Sequence, residues 1–349
     1  MPRAVACPDK FRGTLRAREA ADALAAGLAR AGFDDVRTVP LADGGEGTLE
    51  TLLDVLGGSR RTARVTGPLG DPVDACWGVL PGGTAVIEMA QASGLALVTA
   101  NDPLRASTRG TGELIAIARR EGYTKILVAV GGSATTDGGL AAVEVLKWSL
   151  AGLDVTVACD VVTPFADAAR VFGPQKGATP AQVALLTRRL ERLADQYRAR
   201  TGVDVTALEG AGAAGGLAGG LAAIGARLAP GFEVVADAVG LESALDGADL
   251  AVTGEGRLDV SSLEGKVVGG VLEWCADLDV ARVAVIAGQV TEAAREALAA
   301  THEGVRVDAL TDRVWDEREA LERAALILEE AAVEVGRWAL DGARGTPAP

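Results

Sequence analysis

The sequence predicts an α/β protein of two domains, one of them built from two separated stretches of chain. Three observations carry that prediction. First, short apolar runs (RAVAC at 3–7, ILVAV at 126–130, VTVAC at 155–159, RVAVIAG at 282–288) show no alternation, as expected of strands buried on both faces of a parallel sheet. Second, these runs empty into polar turns, several glycine-rich and acidic, and helical patterns follow. Third, that βα rhythm breaks at about residue 61 and resumes near residue 230. The fold class is therefore α/β: a discontinuous, doubly wound parallel-sheet domain (Rossmann or flavodoxin-like), residues 1–61 and 230–349, with a mixed α/β domain, residues 62–229, inserted into it.

In chain order, the strand at 3–7 stops at Pro8, Asp9 and Lys10. Thr14 is placed to cap a helix whose apolar positions Ala17, Ala20, Leu24 and Leu28 follow a 3.6 period. VRTVPLA is a second strand, ending in Asp43-Gly44-Gly45-Glu46-Gly47, and TLETLLDVLG is a helix. TARVTG, VDACWGVL and TAVIEMA, joined by PLGDP and PGG, read as strands in hairpins. Residues 107–120 form a helix before the 126–130 strand, and VTVAC ends at Asp160. ATPAQVALLTRRLERLADQYRA is a long amphipathic helix with Pro180 just inside its start. ADLAVTG then leads to Glu255-Gly256-Arg257-Leu258-Asp259, RVAVIAG ends at Gln289, and VRVDAL alternates like a strand with one wetter face. A final helix puts Leu321, Ala324, Leu328, Ala331, Val335 and Trp338 on one stripe, and GARGTPAP is a frayed tail.

Composition narrows the function classes. A chain of 349 residues supports two real cores, and aromatics at 3% within 49% hydrophobic residues mean cores of Ala, Val and Leu. The formal charge of −14 argues against nucleic acid or an anionic membrane as partner, so an anionic ligand needs locally gathered cations. No stretch reaches the roughly 20 apolar residues of a membrane span, and MPRAVACPDKF lacks a signal peptide, so the expected location is cytoplasmic. Cys7, Cys76, Cys159 and Cys275 are scattered without a CxxC, as buried thiols in a reducing compartment would be. His302 is the single histidine, in a polar stretch, which weighs against Ser-His-Asp hydrolysis and histidine-bound metals. Oligomeric state is not specified by the sequence, and a homodimer stays open.

Two patterns carry chemistry. In GGSATTDGG, residues 131–139, a buried strand meets a glycine-rich turn that opens a helix, which aims backbone N–H groups at one spot suited to phosphate. Gly131, Gly132, Ser133, Thr135, Asp137, Gly138 and Gly139 are its candidate nucleotide-binding residues, with Gly110 and Gly112 of the preceding helix start. The second pattern is a set of acids at strand ends: Asp9, Asp43, Glu46, Asp137, Asp160, Glu255 and Asp259. Any one could be a helix cap; seven at comparable positions, with Lys10, Arg257 and Lys266, fit phosphoryl transfer, where carboxylates hold Mg²⁺ or accept a proton and cations neutralise the moving group. GxxxxGK[ST] is absent, since Val260 stands where its first glycine belongs. GAGAAG at 210–215 matches GxGxxG but sits in an Ala/Gly stretch with no acid-ended strand after it, which favours close packing or a nucleotide cleft over a dinucleotide fingerprint.

CPDKFRGTL, PLADGGEGT, IEMAQASGL, STRGTGELI, GGSATTDGG, ACDVVTPF, FGPQKGAT, GAAGGL and TGEGRLDVSSLEGK occur in this order between about residue 4 and residue 290. In this the chain resembles the bacterial glycerate kinases of the glycerate 2-kinase type (type I). The resemblance implies ATP- and Mg²⁺-dependent phosphorylation of D-glycerate by a two-domain protein, to 2-phosphoglycerate or 3-phosphoglycerate. One departure stands out: only LAAVEVLKWSLAGLD lies between GGSATTDGG and VTVACD, where the family carries a longer segment, so cleft size, substrate choice and activity are at stake there.

With glycerate as substrate, its carboxylate calls for cations. Lys10, Arg257 and Lys266 are therefore expected beside Asp9, Asp43, Glu46, Glu255 and Asp259 on the outer domain's sheet edge, with the nucleotide on the other domain. Asp43, Lys10, Arg257 and Asp259 are the expected catalytic residues, Asp43 as base. Asp9, Glu46, Glu255 and Lys266 are expected to bind substrate, and Asp160 with Asp137 to hold the metal, Asp259 also being a metal-side candidate. A dinucleotide-dependent oxidoreductase and a non-catalytic ligand-binding relative remain as alternatives.

Overall fold

A computed structural model of the chain describes residues 1–314 and 317–344. The last five residues of the expected frayed tail lie outside the described residues, and helix Ala324–Arg344 takes in its start. The chain divides into two compact units, Met1–Asp43 with Val235–Pro349, and Gly44–Val234. The first division thus falls at residue 43 instead of residue 61. Its cause is helix Thr48–Leu56, which continues the βα rhythm in sequence yet packs on strands of the second unit. Gly78 leaves room for Leu49, whose Cδ1 would stand 2.4 Å from a Cβ there, and the buried Glu88 carboxylate accepts the Leu49 N–H at 2.9 Å.

In the first unit, five parallel strands lie in the order Arg306–Ala309, Val283–Ala287, Leu250–Thr253, Arg3–Ala6, Asp35–Thr38. Numbered along the chain within this sheet, that is the flavodoxin-like order 2-1-3-4-5. Its switch point, where ligands of such sheets bind, lies between the strands ending at Ala6 and Thr253. Helix Ala17–Ala31 covers one face through Ala20, Leu24 and Leu28, and Gly27 lets helix Ala324–Arg344 approach until a Cβ would stand 2.3 Å from the Glu329 carbonyl oxygen. The first of these helices is not capped by Thr14, whose hydroxyl donates to the Phe11 carbonyl; Glu19 reaches back to the Arg16 N–H instead. The C-terminal apolar stripe also differs from expectation. Leu321 sits on a separate short helix, Glu317–Glu322, and is 53% exposed, while Ala324, Leu328, Ala331 and Val335 are buried.

The second unit holds a six-stranded sheet in the order Ser59–Thr66, Pro72–Val79, Thr84–Glu88, Lys125–Ala129, Asp154–Ala158, Arg227–Ala229. The first two junctions are antiparallel and the last three parallel, so this is a mixed sheet. Trp77, Ile87, Ile115, Val128, Val157 and Leu217 build its core. Helix Pro180–Thr201 starts on a Thr179/Gln182 capping box with Pro180 in its first turn, and buries Leu186, Leu190, Leu193 and Tyr197 along one stripe. The short stretch after the glycine turn is a helix of six residues, Leu140–Val145. It ends with Lys147 and Trp148 at φ 54° and 60°, a left-handed region L-residues visit rarely, before the chain re-enters the sheet at Asp154. Among the described residues no helix is long and apolar enough to cross a membrane.

Candidate active site

At the switch point of the first unit, the strand ends open into a cavity of about 420 Å³. Its walls carry four carboxylates, Asp9, Asp43, Glu255 and Asp259, and four cations, Lys10, Arg12, Arg257 and Lys266. The chain's acidity is therefore offset locally, as an anionic ligand requires. The loop after the first strand is tied to its neighbour: the Cys7 N–H donates to the Val252 carbonyl and the Asp9 N–H to the Gly254 carbonyl. Gly256 lies so close to this loop that a Cβ on it would stand 2.9 Å from the Arg12 nitrogen.

Two of the four carboxylates are poised for proton chemistry. Asp9 is pushed up to about 6, mainly by burial and further by the Asp43 charge, against the pull of Lys10 and Arg12. Its Oδ1 accepts the Lys10 N–H at 2.7 Å, with the Lys10 ammonium 3.8 Å away. Glu255 is pushed up to about 7, again first by burial; Ser262 and Lys266 oppose the shift, while Asp9 and Asp259 add to it. Its Oε1 is buried and has no hydrogen-bond partner among the described residues, a costly arrangement unless a ligand completes it. Asp259 behaves differently. Its Oδ1 accepts the N–H and hydroxyl of Ser261 at 2.8 and 2.6 Å, so it caps the short turn Val260–Leu263, and the Ser261 hydroxyl foremost holds its carboxyl below the usual range. Lys266 donates to the Ser261 hydroxyl at 2.9 Å.

The cavity thus brings together Asp9, Lys10, Asp43, Glu255, Arg257, Asp259 and Lys266 of the sequence-derived set. Glu46 is not among its walls. It belongs to the second unit, where its carboxylate lies 3.6 Å from the place a Cβ on Gly132 would take. Arg12, Ser262 and Gln289, which also line the cavity, were passed over. Arg12 and Ser262 stand inside motifs already singled out, three residues after Asp9 and after Asp259, and Gln289 opens the two-residue strand Gln289–Val290, just past the strand that ends at Ala287.

In the second unit the glycine turn is largely filled by protein. A Cβ on Gly138 would stand 2.4 Å from Leu193 Cδ2, and one on Gly139 3.0 Å from the Leu217 Cα. One on Gly110 would meet the Thr66 carbonyl oxygen at 2.0 Å, and one on Gly112 the Ala142 backbone at 2.7 Å. These four glycines have a packing reason of their own, beside the nucleotide role expected of them. GAGAAG packs likewise: Gly215 faces the Thr135 carbonyl oxygen and Gly212 that of Pro164, so no dinucleotide fingerprint is formed. Asp137 is also committed inward. Its Oδ2 accepts the N–H and hydroxyl of Thr108 at 2.9 and 2.8 Å and its Oδ1 the Gly139 N–H at 3.1 Å, while burial raises its pKa.

At the start of the turn Gly131 is packed as well, a Cβ on it standing 2.7 Å from the Gly45 Cα, and Gly132 is the glycine left open. The N–H groups of Gly131, Gly132 and Ser133 have no acceptor among the described residues, and Gly132 is exposed. Lys176, missed from sequence although it stands in FGPQKGAT, donates to the Ser133 hydroxyl at 2.7 Å.

Both residues expected to hold the metal already accept hydrogen bonds from the protein. Asp137 is engaged as described, and Asp160 Oδ1 accepts the N–H groups of Gly231 and Phe232 at 2.6 and 3.1 Å, at the start of helix Gly231–Val239. No group of three or more His, Cys, Asp or Glu among the described residues could hold a metal.

Comparison with known proteins agrees with the motif order. The model of the glycerate kinase family matches residues 4–151 and 141–340. Glycerate 2-kinase of Escherichia coli (strain K12) is 42% identical over 306 residues, covering 76% of this chain and 80% of that protein. Glycerate kinase of Bacillus subtilis (strain 168) is 38% identical over 373 residues, covering 95% and 96%. A crystal structure from Salmonella typhimurium LT2, provisionally named glycerate kinase 2, superposes with a TM-score of 0.83 at 35% identity, covering 98% of this chain and 99% of its own. The two pieces of the family match overlap at residues 141–151, and the Bacillus alignment is longer than the chain's 349 residues, so that relative carries residues this chain lacks. The chain belongs to the glycerate kinase family of phosphotransferases.

Proposed function

We propose that the protein phosphorylates D-glycerate with ATP and Mg²⁺, giving 2-phosphoglycerate and ADP. The observation that carries this reading is the switch-point cavity with four cations among its four carboxylates. With Asp9 near 6 and Glu255 near 7, the cavity holds net positive charge at and below neutral pH, which suits a small carboxylate substrate. Lys10 and Arg257 are our choice to hold the glycerate carboxylate, with Arg12 and Lys266 beside them. Glu255, with its unpartnered oxygen and a pKa near the working pH, is our choice of proton acceptor in place of Asp43. As the hydroxyl oxygen bonds to the γ-phosphorus, its proton passes to Glu255 and the bond to the ADP oxygen breaks. The triphosphate is assigned to the N–H groups of Gly131–Ser133. Mg²⁺ bound to that triphosphate would neutralise charge on the leaving phosphates.

The E. coli relative's name favours the 2-phosphate product. Phosphorus and carbon NMR of the product formed from D-glycerate and Mg·ATP tests substrate, donor and position together; no phosphoglycerate would sink the reading, and 3-phosphoglycerate would correct its regiochemistry. A second reading, binding without turnover, is motivated by the helix of only six residues, Leu140–Val145, after the glycine turn. Glycerate binding with no ADP release in the same experiment would establish it.

A further inference from the structure

Behind the open part of the turn lies Lys176, 3% exposed. Its ammonium donates to the Ser133 hydroxyl and the Thr135 carbonyl, both at 2.7 Å. No carboxylate pairs with it among the described residues; Asp137 is the one charged group whose field it feels, and the Phe172 ring lies 6.0 Å away. The surrounding backbone is clamped, because Asn101 Nδ2 donates to the carbonyls of both Lys176 and Ala134 at 2.9 Å. A buried ammonium served only by neutral oxygens is costly, and burial pulls Lys176 down to about 7 against the Asp137 charge. The arrangement suits an anion, to which the adjacent backbone offers three N–H groups.

We propose that Lys176 is a positioning residue for the nucleotide, acting through Ser133. The Ser133 hydroxyl accepts from the ammonium and so turns its own proton toward a phosphate oxygen seated on the Gly131–Ser133 N–H groups. This rests on the reading that the nucleotide phosphates lie on that turn. It adds a consequence of its own: a phosphate beside the ammonium restores its charge, so nucleotide binding above neutral pH takes up a proton.

The test is calorimetric titration of the protein with a non-hydrolysable ATP analogue and Mg²⁺ at pH 8, in two buffers of different ionisation enthalpy. Wild type is expected to take up about one proton per nucleotide, given a starting pKa of about 7. Lys176→Met should bind roughly tenfold more weakly or worse, with no uptake, as expected when a charge-assisted contact is lost. Lys176→Arg should recover affinity without uptake, because a guanidinium does not deprotonate. Ser133→Ala keeps the lysine and its packing, and should weaken binding and diminish the uptake even where Lys176→Met fails to fold. No uptake in wild type, or undiminished uptake and affinity in either Lys176→Met or Ser133→Ala, overturns the inference. Unchanged affinity in Gly132→Val overturns instead the reading on which it rests.

Discussion

The two sheets end in sites of opposite construction. In the first unit the site is made of side chains: strand ends at the switch point present acids and cations around a cavity, and burial has moved two of those acids toward neutral pH. In the second unit the candidate site is made of backbone, and most of the glycines that mark it in sequence are spent on packing against Leu193, Leu217, Thr66 and Ala142. The contrast teaches how differently the two signals should be weighed. A carboxylate at a strand end of a doubly wound sheet has few uses besides capping and ligand chemistry. A glycine has two uses of equal standing, close approach by a ligand and close approach by protein, and sequence does not separate them.

The comparison breaks most decisively at Glu255. If Glu255 is the proton acceptor, replacing it with Gln removes that group without changing its size, so kcat should fall by about 10²–10⁴-fold with the glycerate KM little changed. The same replacement should stabilise the protein. A carboxyl raised from 4.5 to about 7 binds more protons folded than unfolded between those values, so stability falls as pH rises through that window. Thermal melts should therefore show Glu255→Gln gaining over wild type at pH 8 by an amount of order 1–3 kcal/mol and gaining nothing at pH 4. Gain at both pH values would mean that Glu255 is not held as described. If kcat survives in Glu255→Gln, Asp43→Asn is the next variant to assay, and a fall there returns the base to Asp43.

A packing glycine makes the next test. Gly110 sits in helix Arg109–Arg120, and a Cβ there would stand 2.0 Å from the Thr66 carbonyl oxygen. Gly110→Ala gains up to about 1 kcal/mol in helix propensity, but the clash opposes it, and overpacking costs about 1–3 kcal/mol. Denaturant melts should show net destabilisation, while the folded variant keeps its KM for ATP. A raised KM in a fully stable variant would restore Gly110 to the nucleotide site.

How far the sequence could be read follows from the same contrast. The parallel sheet, its interruption and the gathering of Asp9, Asp43 and Glu255 were legible because buried parallel strands and their polar ends leave marks at fixed offsets. The helix Thr48–Leu56 misplaced a boundary because its pattern shows an apolar face without showing which sheet covers it. Asp259, Asp137 and Asp160 were legible as acids, but their partners Ser261, Thr108 and the Gly231 N–H come from loop geometry that no spacing reveals. Lys176 was hidden for another reason: a lysine is ordinarily a surface residue, and 41 residues separate it from the Thr135 carbonyl that buries it.

The smallest effect expected is also the one that decides whether the second site exists. Gly132 is the turn glycine that is exposed, lies at φ +67° and has no protein atom nearer than 3.3 Å to the place of a Cβ, the Ala90 methyl being the closest. Gly132→Ala therefore meets little steric resistance and should cost about 1 kcal/mol of stability through its left-handed backbone. Gly132→Val adds two methyl groups over the unused N–H groups of Gly131–Ser133. If phosphate is bound there, KM for ATP should rise by about tenfold for Val and less for Ala, with kcat at saturating ATP and the glycerate KM both near wild type, as for a contact made equally in ground and transition states. The graded series separates blockage from general damage, since a distorted turn would lower kcat in both variants alike. Equal ATP kinetics in wild type, Gly132→Ala and Gly132→Val would leave the glycine turn as packing throughout, and the nucleotide would have to be sought elsewhere on the second unit.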